Sequence, residues 1–134
     1  MTETLRTLAV LGIFALLVPL ASCDDSGPQG PGAYDATVTR SAGLPPAGVV
    51  LDVVGPGITA VTGSGPTQVW TSPIPGGQGL RVIVVNTGTD DLLQFRIEVA
   101  DVGAPTPQAV VRMGTDSDNR HITAVATYRV DLTR

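Results

Sequence analysis

The clearest periodic stretch of the chain is residues 92–100, which read Leu92-Leu93-Gln94-Phe95-Arg96-Ile97-Glu98-Val99-Ala100. From position 93 onward, large apolar side chains alternate with polar or charged ones. Successive side chains of a β-strand point to opposite faces, so a period of two places one set against a core and the other in water. The stretch predicts a strand whose inward residues are Leu93, Phe95, Ile97 and Val99.

Segments rich in valine, isoleucine and threonine recur along the chain, and the 16 glycines and 11 prolines interrupt them at short intervals. This pattern is typical of an all-β domain. We predict further strands at residues 36–40, 48–54, 58–62, 67–72, 80–85, 109–113 and 122–132. Because no stretch after residue 34 has a helical period, residues 34–134 are predicted to form an antiparallel β-sandwich of about eight strands.

Three of these strands carry finer predictions. Residues 48–54 are apolar on both sides, so both faces of that strand are expected to be covered. Turn residues at 86–90 predict a hairpin that joins strand 80–85, which is apolar enough to be central, to strand 92–100. Residues 122–132 predict one long strand, with one face lined by Ile122, Ala124, Ala126, Tyr128, Val130 and Leu132.

The order of residues 48–53, 80–84 and 91–99 resembles that of cohesins and related carbohydrate-binding-like sandwiches. In those domains an early strand of the pattern valine-x-aspartate-or-phenylalanine packs against a late amphipathic strand that ends in valine. The resemblance implies a cohesin-like sandwich, with an Ig-like sandwich as the alternative. The resemblance supports this fold more strongly than it supports binding of a dockerin, the partner of cohesins.

The first 22 residues are predicted to be a secretory signal peptide. Arg6 lies near the amino terminus, residues 8–18 are apolar throughout, and small residues end the run. A membrane-spanning helix needs about 20 apolar residues, and Pro19 followed by Asp24 and Asp25 ends this run earlier. We therefore predict a signal-peptide helix. The alternative is an uncleaved amino-terminal anchor helix.

Residues Leu20-Ala21-Ser22-Cys23 resemble the lipobox of bacterial lipoproteins, in which an aliphatic residue and two small residues precede a cysteine. The resemblance implies cleavage between Ser22 and Cys23, a lipid on the Cys23 sulfur, and acylation of the new amino terminus with a fatty acid such as palmitate. Several acyl chains anchor a protein durably, whereas one does not. The implied location is a membrane of the bacterial cell envelope, facing the periplasm or the cell exterior. The alternative for Cys23 is a small buried apolar residue.

A tether is predicted between the lipid and the domain, at residues 23–33. Residues 24–32 carry no apolar side chain that could be buried, so the segment is expected to be disordered. Asp24 follows the cysteine, and in enteric bacteria an aspartate there implies retention in the inner membrane.

Charge and cysteine content exclude several classes of partner and site. The formal net charge is −4, and all eight basic residues are arginines, without a basic run. Nucleic acid is therefore not an expected partner. The single cysteine excludes an internal disulfide, and with a single histidine it excludes the usual zinc ligand sets. No cofactor is expected apart from the covalent lipid.

Trp70, the only tryptophan, is the candidate ligand contact. Sugar-binding sandwiches stack sugar rings on exposed aromatic side chains, so Trp70 could anchor a glycan. The alternative is that Trp70 is buried, as large aromatic side chains mostly are.

A weak calcium candidate is formed by Asp116, Asp118 and Asn119, because hard cations bind several oxygens on a tight turn. An EF-hand loop then requires a further oxygen ligand and a glycine, and Arg120 and His121 stand there instead. A hairpin turn rich in Asp and Asn explains these residues without a metal.

The only histidine, His121, could serve a Ser-His-Asp site, but the chain has no Gly-x-Ser-x-Gly motif. A solvated histidine at a loop edge is the default expectation. The sequence thus predicts a non-catalytic, lipid-anchored β-sandwich that binds a protein or has a structural role. A carbohydrate-binding module that uses Trp70 is the alternative, and a hydrolase is the remote alternative.

Overall fold

The structure, a computed structural model, describes residues 27–134. Within that range the chain forms nine β-strands and one 3₁₀ turn, at Val125–Thr127. The strands are β1 (Gly32–Arg40), β2 (Pro46–Val54), β3 (Ile58–Gly63), β4 (Thr67–Pro73), β5 (Gly79–Asn86), β6 (Leu93–Val99), β7 (Gln108–Asp116), β8 (His121–Ile122) and β9 (Tyr128–Thr133). In this part of the chain no helix has the length and apolarity needed to cross a bilayer.

The strands pair into two sheets. One sheet has four strands in the order β3-β6-β1-β9, and the other has five in the order β4-β5-β2-β7-β8. All pairings are antiparallel. The two sheets pack face to face over one hydrophobic core, so the predicted antiparallel β-sandwich is confirmed.

The core follows from side-chain alternation in both sheets. Strand β6 buries Leu93, Phe95, Ile97 and Val99 and exposes the residues between them, as the sequence predicted. Strands β2 and β5 contribute the opposing layer of Leu51, Val53, Val82 and Val84, all fully buried. Complete burial of one such side chain stabilises the fold by about 1.5–3 kcal/mol, and these contacts hold the sheets together.

The middle strand of the five-stranded sheet, β2, differs from its prediction. Its inward residues are buried, but Val50 and Val54 on the outer side are only partly buried. Within residues 27–134 no third layer packs over this sheet, so the expectation that both faces are covered is wrong.

The predicted hairpin between β5 and β6 is also wrong. Strand β5 lies between β4 and β2, whereas β6 lies between β1 and β3 in the other sheet. The loop between them therefore carries the chain from one sheet to the other. Thr87 holds it, because its backbone N–H and its hydroxyl both donate to the Pro66 carbonyl, at 3.0 and 2.6 Å. Turn residues predict a reversal of the chain, but they do not specify which sheet the chain enters next.

The long strand predicted at residues 122–132 is interrupted. Strand β8 pairs with β7, the chain then forms the 3₁₀ turn, and β9 pairs with β1 in the opposite sheet. Ala124 and Ala126, which were expected on the buried face, are exposed. Thr127 stabilises the turn by donating its hydroxyl to the Ala124 carbonyl at 2.8 Å. Two alanines provide too little apolar surface to hold the chain in one sheet.

The ordered domain begins earlier than the predicted boundary at residue 34. Strand β1 starts at Gly32, which pairs with Val99. Before it, the Gly30 N–H donates to Asp101 Oδ1 at 2.8 Å, and the Val102 N–H donates to the Gly30 carbonyl at 2.9 Å. Backbone hydrogen bonds thus order residues that carry no apolar side chain, which composition alone does not predict.

Candidate functional site

The outer face of the five-stranded sheet carries a row of apolar side chains that runs across four strands. The strand register places Trp70 opposite Ile83, Ile83 opposite Val50, and Val50 opposite Met113. We call these four residues the apolar row. Trp70, Ile83 and Met113 are 52%, 45% and 49% exposed. Because neighbouring strands lie about 4.8 Å apart, the row is about 14 Å long.

Alternation fixes the outward direction of the row. On β5, Val82 and Val84 are fully buried in the core, so Ile83 between them must point to the outside. Of the large apolar side chains on strands of residues 27–134, those that are exposed all lie on this face: Trp70, Ile83, Val110 and Met113. The exposed apolar surface is therefore concentrated on one side of the sandwich.

A charged group lies next to the apolar row. Asp52 of β2 has a side chain only 6% exposed, and two arginines share its carboxylate. Arg81 donates from Nε to Oδ1 at 2.8 Å and from Nη2 to Oδ2 at 3.2 Å, and Arg112 donates from Nε to Oδ2 at 2.8 Å. We call these three residues the Asp52 cluster. Both arginine side chains are about half exposed, so the cluster presents positive charge to the outside.

An irregularity in β7 brings this charge beside the apolar row. Val50 faces Met113 and Leu51 faces Val111, which leaves Arg112 as an extra residue in β7. Such a β-bulge changes the direction of a side chain that would otherwise point to the opposite face. As a result Arg112 and Met113, although adjacent in sequence, both reach the outer face.

The neighbouring arginines favour the ionised form of Asp52. The hydrogen bond from Arg81 lowers the pKa of Asp52 below its ordinary value of 3.8; burial opposes this shift, and the hydrogen bond from Arg112 supports it. The hydrogen bond to Asp52 in turn raises the pKa of Arg81. Two guanidinium groups and one carboxylate therefore leave one net positive charge on this face.

The outer face of the four-stranded sheet is different. The side chains that point outward from its central part are polar or small, and one cross-strand row reads Thr62, Arg96, Asp35 and Thr133. Arg96 donates from Nε to Asp35 Oδ1 at 2.9 Å, and both side chains are more than half exposed. This hydrogen bond lowers the pKa of Asp35. The face has the composition of an ordinary hydrated surface.

The predicted site residues lie apart from one another. Trp70 is on the edge strand β4, whereas His121 is on β8 at the opposite edge of the same sheet, exposed and opposite Thr115. Three strands separate them. Ser22 and Cys23, the predicted cleavage and lipidation residues, lie outside the described residues.

The calcium candidate forms a compact turn between β7 and β8. Asp116 is buried, and its Oδ1 accepts hydrogen bonds from the Asp118 and Arg120 backbone N–H groups, both at 3.0 Å. Asp118 pairs with the Arg120 side chain at 3.6 Å, and Asn119 adopts a left-handed conformation with φ of 60°. The carboxylate of Asp116 thus caps the turn. Within residues 27–134, no three His, Cys, Asp or Glu side chains converge as metal ligands.

Sequence reasoning found one member of the apolar row and missed the rest of this site. Ile83 sits in a strand that is apolar on both sides, so nothing marks it as exposed. Asp52 does have a signal, because it is the only charged residue among the valines and leucine of β2. Its partners are 29 and 60 residues away along the chain, which hides the cluster from any local pattern.

Comparisons of this chain with models of protein families, with curated proteins and with solved structures gave no match.

Proposed function

We propose that this chain is a lipid-anchored protein of the bacterial cell envelope whose non-catalytic β-sandwich binds a partner protein through the outer face of the five-stranded sheet. The apolar row carries the binding part of the proposal. Globular domains rarely leave contiguous apolar surface in water without a use, and such surface marks interaction sites. Here it is confined to one face, and the opposite face is polar.

The composition of the face supports a protein partner. Aromatic residues, methionine and arginine are enriched at the centres of protein interfaces, and tryptophan and arginine dominate binding energies there. Trp70, Met113, Arg81 and Arg112 bring these types together beside Ile83. A flat sheet face suits a broad protein contact better than a small molecule, which prefers a concave pocket.

Site-specific photo-crosslinking in the producing cells tests the binding face. A photoreactive amino acid is placed at Ser72, which is exposed next to Trp70, or at Gln94, which is exposed on the opposite face. We expect a discrete crosslinked product from position 72 and none from position 94. The product should disappear when Trp70→Ala is added. Equal crosslinking from both faces, or a product that does not depend on Trp70, would contradict the proposal.

The lipid anchor is supported by the resemblance of residues 20–23 to a lipobox. We expect Cys23→Ser to leave the chain unprocessed or to release it from the membrane fraction, because the thiol is the only group there that can form the thioether to the lipid. Ser26→Ala is the control and should be processed and anchored like the wild type. Mass spectrometry of the amino terminus reads the result. A Cys23→Ser protein that is cleaved normally and stays in the membrane fraction would refute lipidation.

Binding of a glycan is a second candidate, favoured by the half-exposed indole of Trp70. An exposed aromatic ring on a flat face can stack against a sugar. The other members of the apolar row are aliphatic or sulfur-containing, however, and offer no second ring. Because Trp70 is the only tryptophan, quenching of its fluorescence by members of a glycan panel would favour this function. A flat titration across the panel would remove it.

A further inference from the structure

We propose that the partner presents a carboxylate next to a large apolar side chain, and that the Asp52 cluster receives this carboxylate while the apolar row receives its neighbour. This inference rests on the proposed binding function and names the chemistry of its partner. The apolar row and the cluster are adjacent because Val50 and Asp52 both point outward from β2, two residues apart.

Most donors of the two guanidinium groups are free to bind such a group. A guanidinium has five N–H donors in a planar fork that matches a carboxylate. Arg81 uses its Nε and one terminal nitrogen on Asp52, and Arg112 uses only its Nε. The two arginine side chains are about half exposed, so a ligand can approach them from solvent. An incoming carboxylate would find two arginines whose joint charge Asp52 only half cancels.

Asp52 acts as a positioning residue in this scheme. Its buried carboxylate holds both arginines at fixed positions before the partner arrives. A side chain that is already ordered loses less conformational entropy on binding, so the same contact gives a higher affinity. The two arginines are therefore pre-ordered for a ligand, although the Asp52 carboxylate cancels one of their two positive charges.

Charge complementarity favours an acidic partner over a second copy of this chain. Asp52 is the only acidic residue that points outward from the strands of this face, and its carboxylate is already occupied. Two copies meeting through this face would bring arginines together without a free carboxylate to receive them. An anionic membrane is also a poor match, because the chain carries a net charge of −4 and the apolar row lies flat on a sheet.

Selection from a displayed library of random dodecapeptides tests the proposal, with the full-length detergent-solubilised protein as bait. We expect the enriched peptides to carry Asp or Glu beside large apolar residues. A synthetic peptide from the selection should bind Arg112→Gln about tenfold more weakly, which corresponds to the loss of one charge-assisted contact. The single variant Arg112→Gln is preferred to replacement of both arginines, because Arg81 then still pairs with the buried Asp52 carboxylate. Arg96→Gln, on the opposite face, is the matched control and should bind like the wild type.

The Asp52→Asn variant distinguishes the positioning of the two arginines by Asp52 from the electrostatic attraction between the cluster and the acidic peptide. This substitution removes a negative charge and makes the cluster more positive, so charge alone would strengthen binding of the acidic peptide. Loss of positioning should instead weaken it about threefold. Circular dichroism confirms that the variant is folded. Tighter binding by Asp52→Asn would contradict the positioning role.

The outcomes distinguish this inference from the function on which it rests. Enriched peptides that depend on Trp70 but show no excess of Asp or Glu would overturn the inference and leave the binding face intact. Enrichment that persists unchanged in Trp70→Ala would overturn the proposed function itself. Arginine-dependent binding to phosphatidylglycerol vesicles, without selection of acidic peptides, would assign the cluster to lipid phosphates and overturn the inference.

Discussion

The two outer faces of this sandwich are built from the same kind of alternating strand, yet they meet the solvent differently. On the four-stranded sheet the outward positions are polar or small, as in the row that contains Arg96 and Asp35. On the five-stranded sheet the corresponding positions hold the apolar row. The inward faces of both sheets are apolar and contribute to one buried core. Alternation therefore explains the core but not the difference between the outer faces, which we attribute to the proposed binding function.

The ion pairs of the two faces show the same contrast. Asp35 and Arg96 are both more than half exposed, whereas Asp52 is almost completely buried between two arginines. Exposed pairs contribute little to stability because water solvates both partners and salt screens them. A buried carboxylate depends on its partners, since it has lost most of its hydration. We therefore expect the Asp35–Arg96 pair to be replaceable and the Asp52 cluster not to be.

The largest expected difference between the faces is in partner binding. We expect Trp70→Ala to weaken binding of the partner by about 30-fold to 1,000-fold, which is the range for loss of an interface hot spot. Glu98→Ala, an exposed change on the opposite face, should leave binding unchanged. Titration of a peptide selected on the wild-type protein measures both. Equal losses for the two variants would abolish the distinction between the faces.

The next effect concerns stability. We expect Asp52→Asn to lower the free energy of unfolding by about 1–3 kcal/mol, because charge-assisted hydrogen bonds to a buried group are lost. Asp35→Asn, its counterpart on the other face, should unfold like the wild type. Urea denaturation followed by circular dichroism gives both values. If Asp35→Asn were as damaging as Asp52→Asn, burial would not be what separates the two clusters.

The stabilising effect of Asp52 should depend on pH. Its pKa is lowered in the folded state, so its contribution is fully present above the unfolded value near 3.8. The contribution is lost as the pH falls below that value toward the lowered folded pKa. The stability difference between wild type and Asp52→Asn should therefore be full at pH 7 and shrink in strongly acidic solution. A difference that stays constant down to the lowest pH at which the fold persists would show that Asp52 acts by shape and not by charge.

The smallest effect is expected within the apolar row itself. Met113→Gln should change the free energy of unfolding by no more than about 0.5 kcal/mol, as is usual for exposed positions. Glu98→Gln on the opposite face should be equally silent. Thermal unfolding of the two variants is the measurement. A loss above about 2 kcal/mol for Met113→Gln would mean that the fold itself requires the row.

Most of the fold follows from local pattern, and the exceptions are instructive. The alternation of residues 93–99 correctly identifies both faces of β6, because one strand's period directly reports its burial. The passage of the chain from β5 to the opposite sheet and the 3₁₀ turn before β9 do not follow from local pattern, since the sheet that a strand joins is decided by partners far away in sequence. Composition places residues 30–33 in the tether because they carry no large apolar side chain. Their order comes instead from backbone hydrogen bonds, which composition does not reveal.

The site was less predictable than the fold. Trp70 stands out as the only tryptophan, but its neighbours in the row come from strands that are 13 to 43 residues away. Outward and inward valines or isoleucines are indistinguishable in a strand that is apolar on both sides. The bulge that places both Arg112 and Met113 on the outer face leaves no trace in the sequence of β7 that periodicity could detect. The spacing of Asp116, Asp118 and Asn119 likewise does not reveal that the Asp116 carboxylate accepts hydrogen bonds from its own turn.

The hydrogen bond between Gly30 and Asp101 sets a limit on how far the domain can travel. Six residues lie between Cys23 and Gly30, and the seven Cα–Cα steps span at most about 25 Å when fully extended. If Cys23 carries the proposed lipid, the start of the domain stays within this distance of the bilayer surface, and the binding face is confined to a thin layer above the membrane. A partner confined to the same membrane then meets the binding face at a local concentration in the millimolar range. A weak contact is therefore enough for stable pairing between neighbours in the membrane. A freely diffusing protein with the same affinity would not be retained.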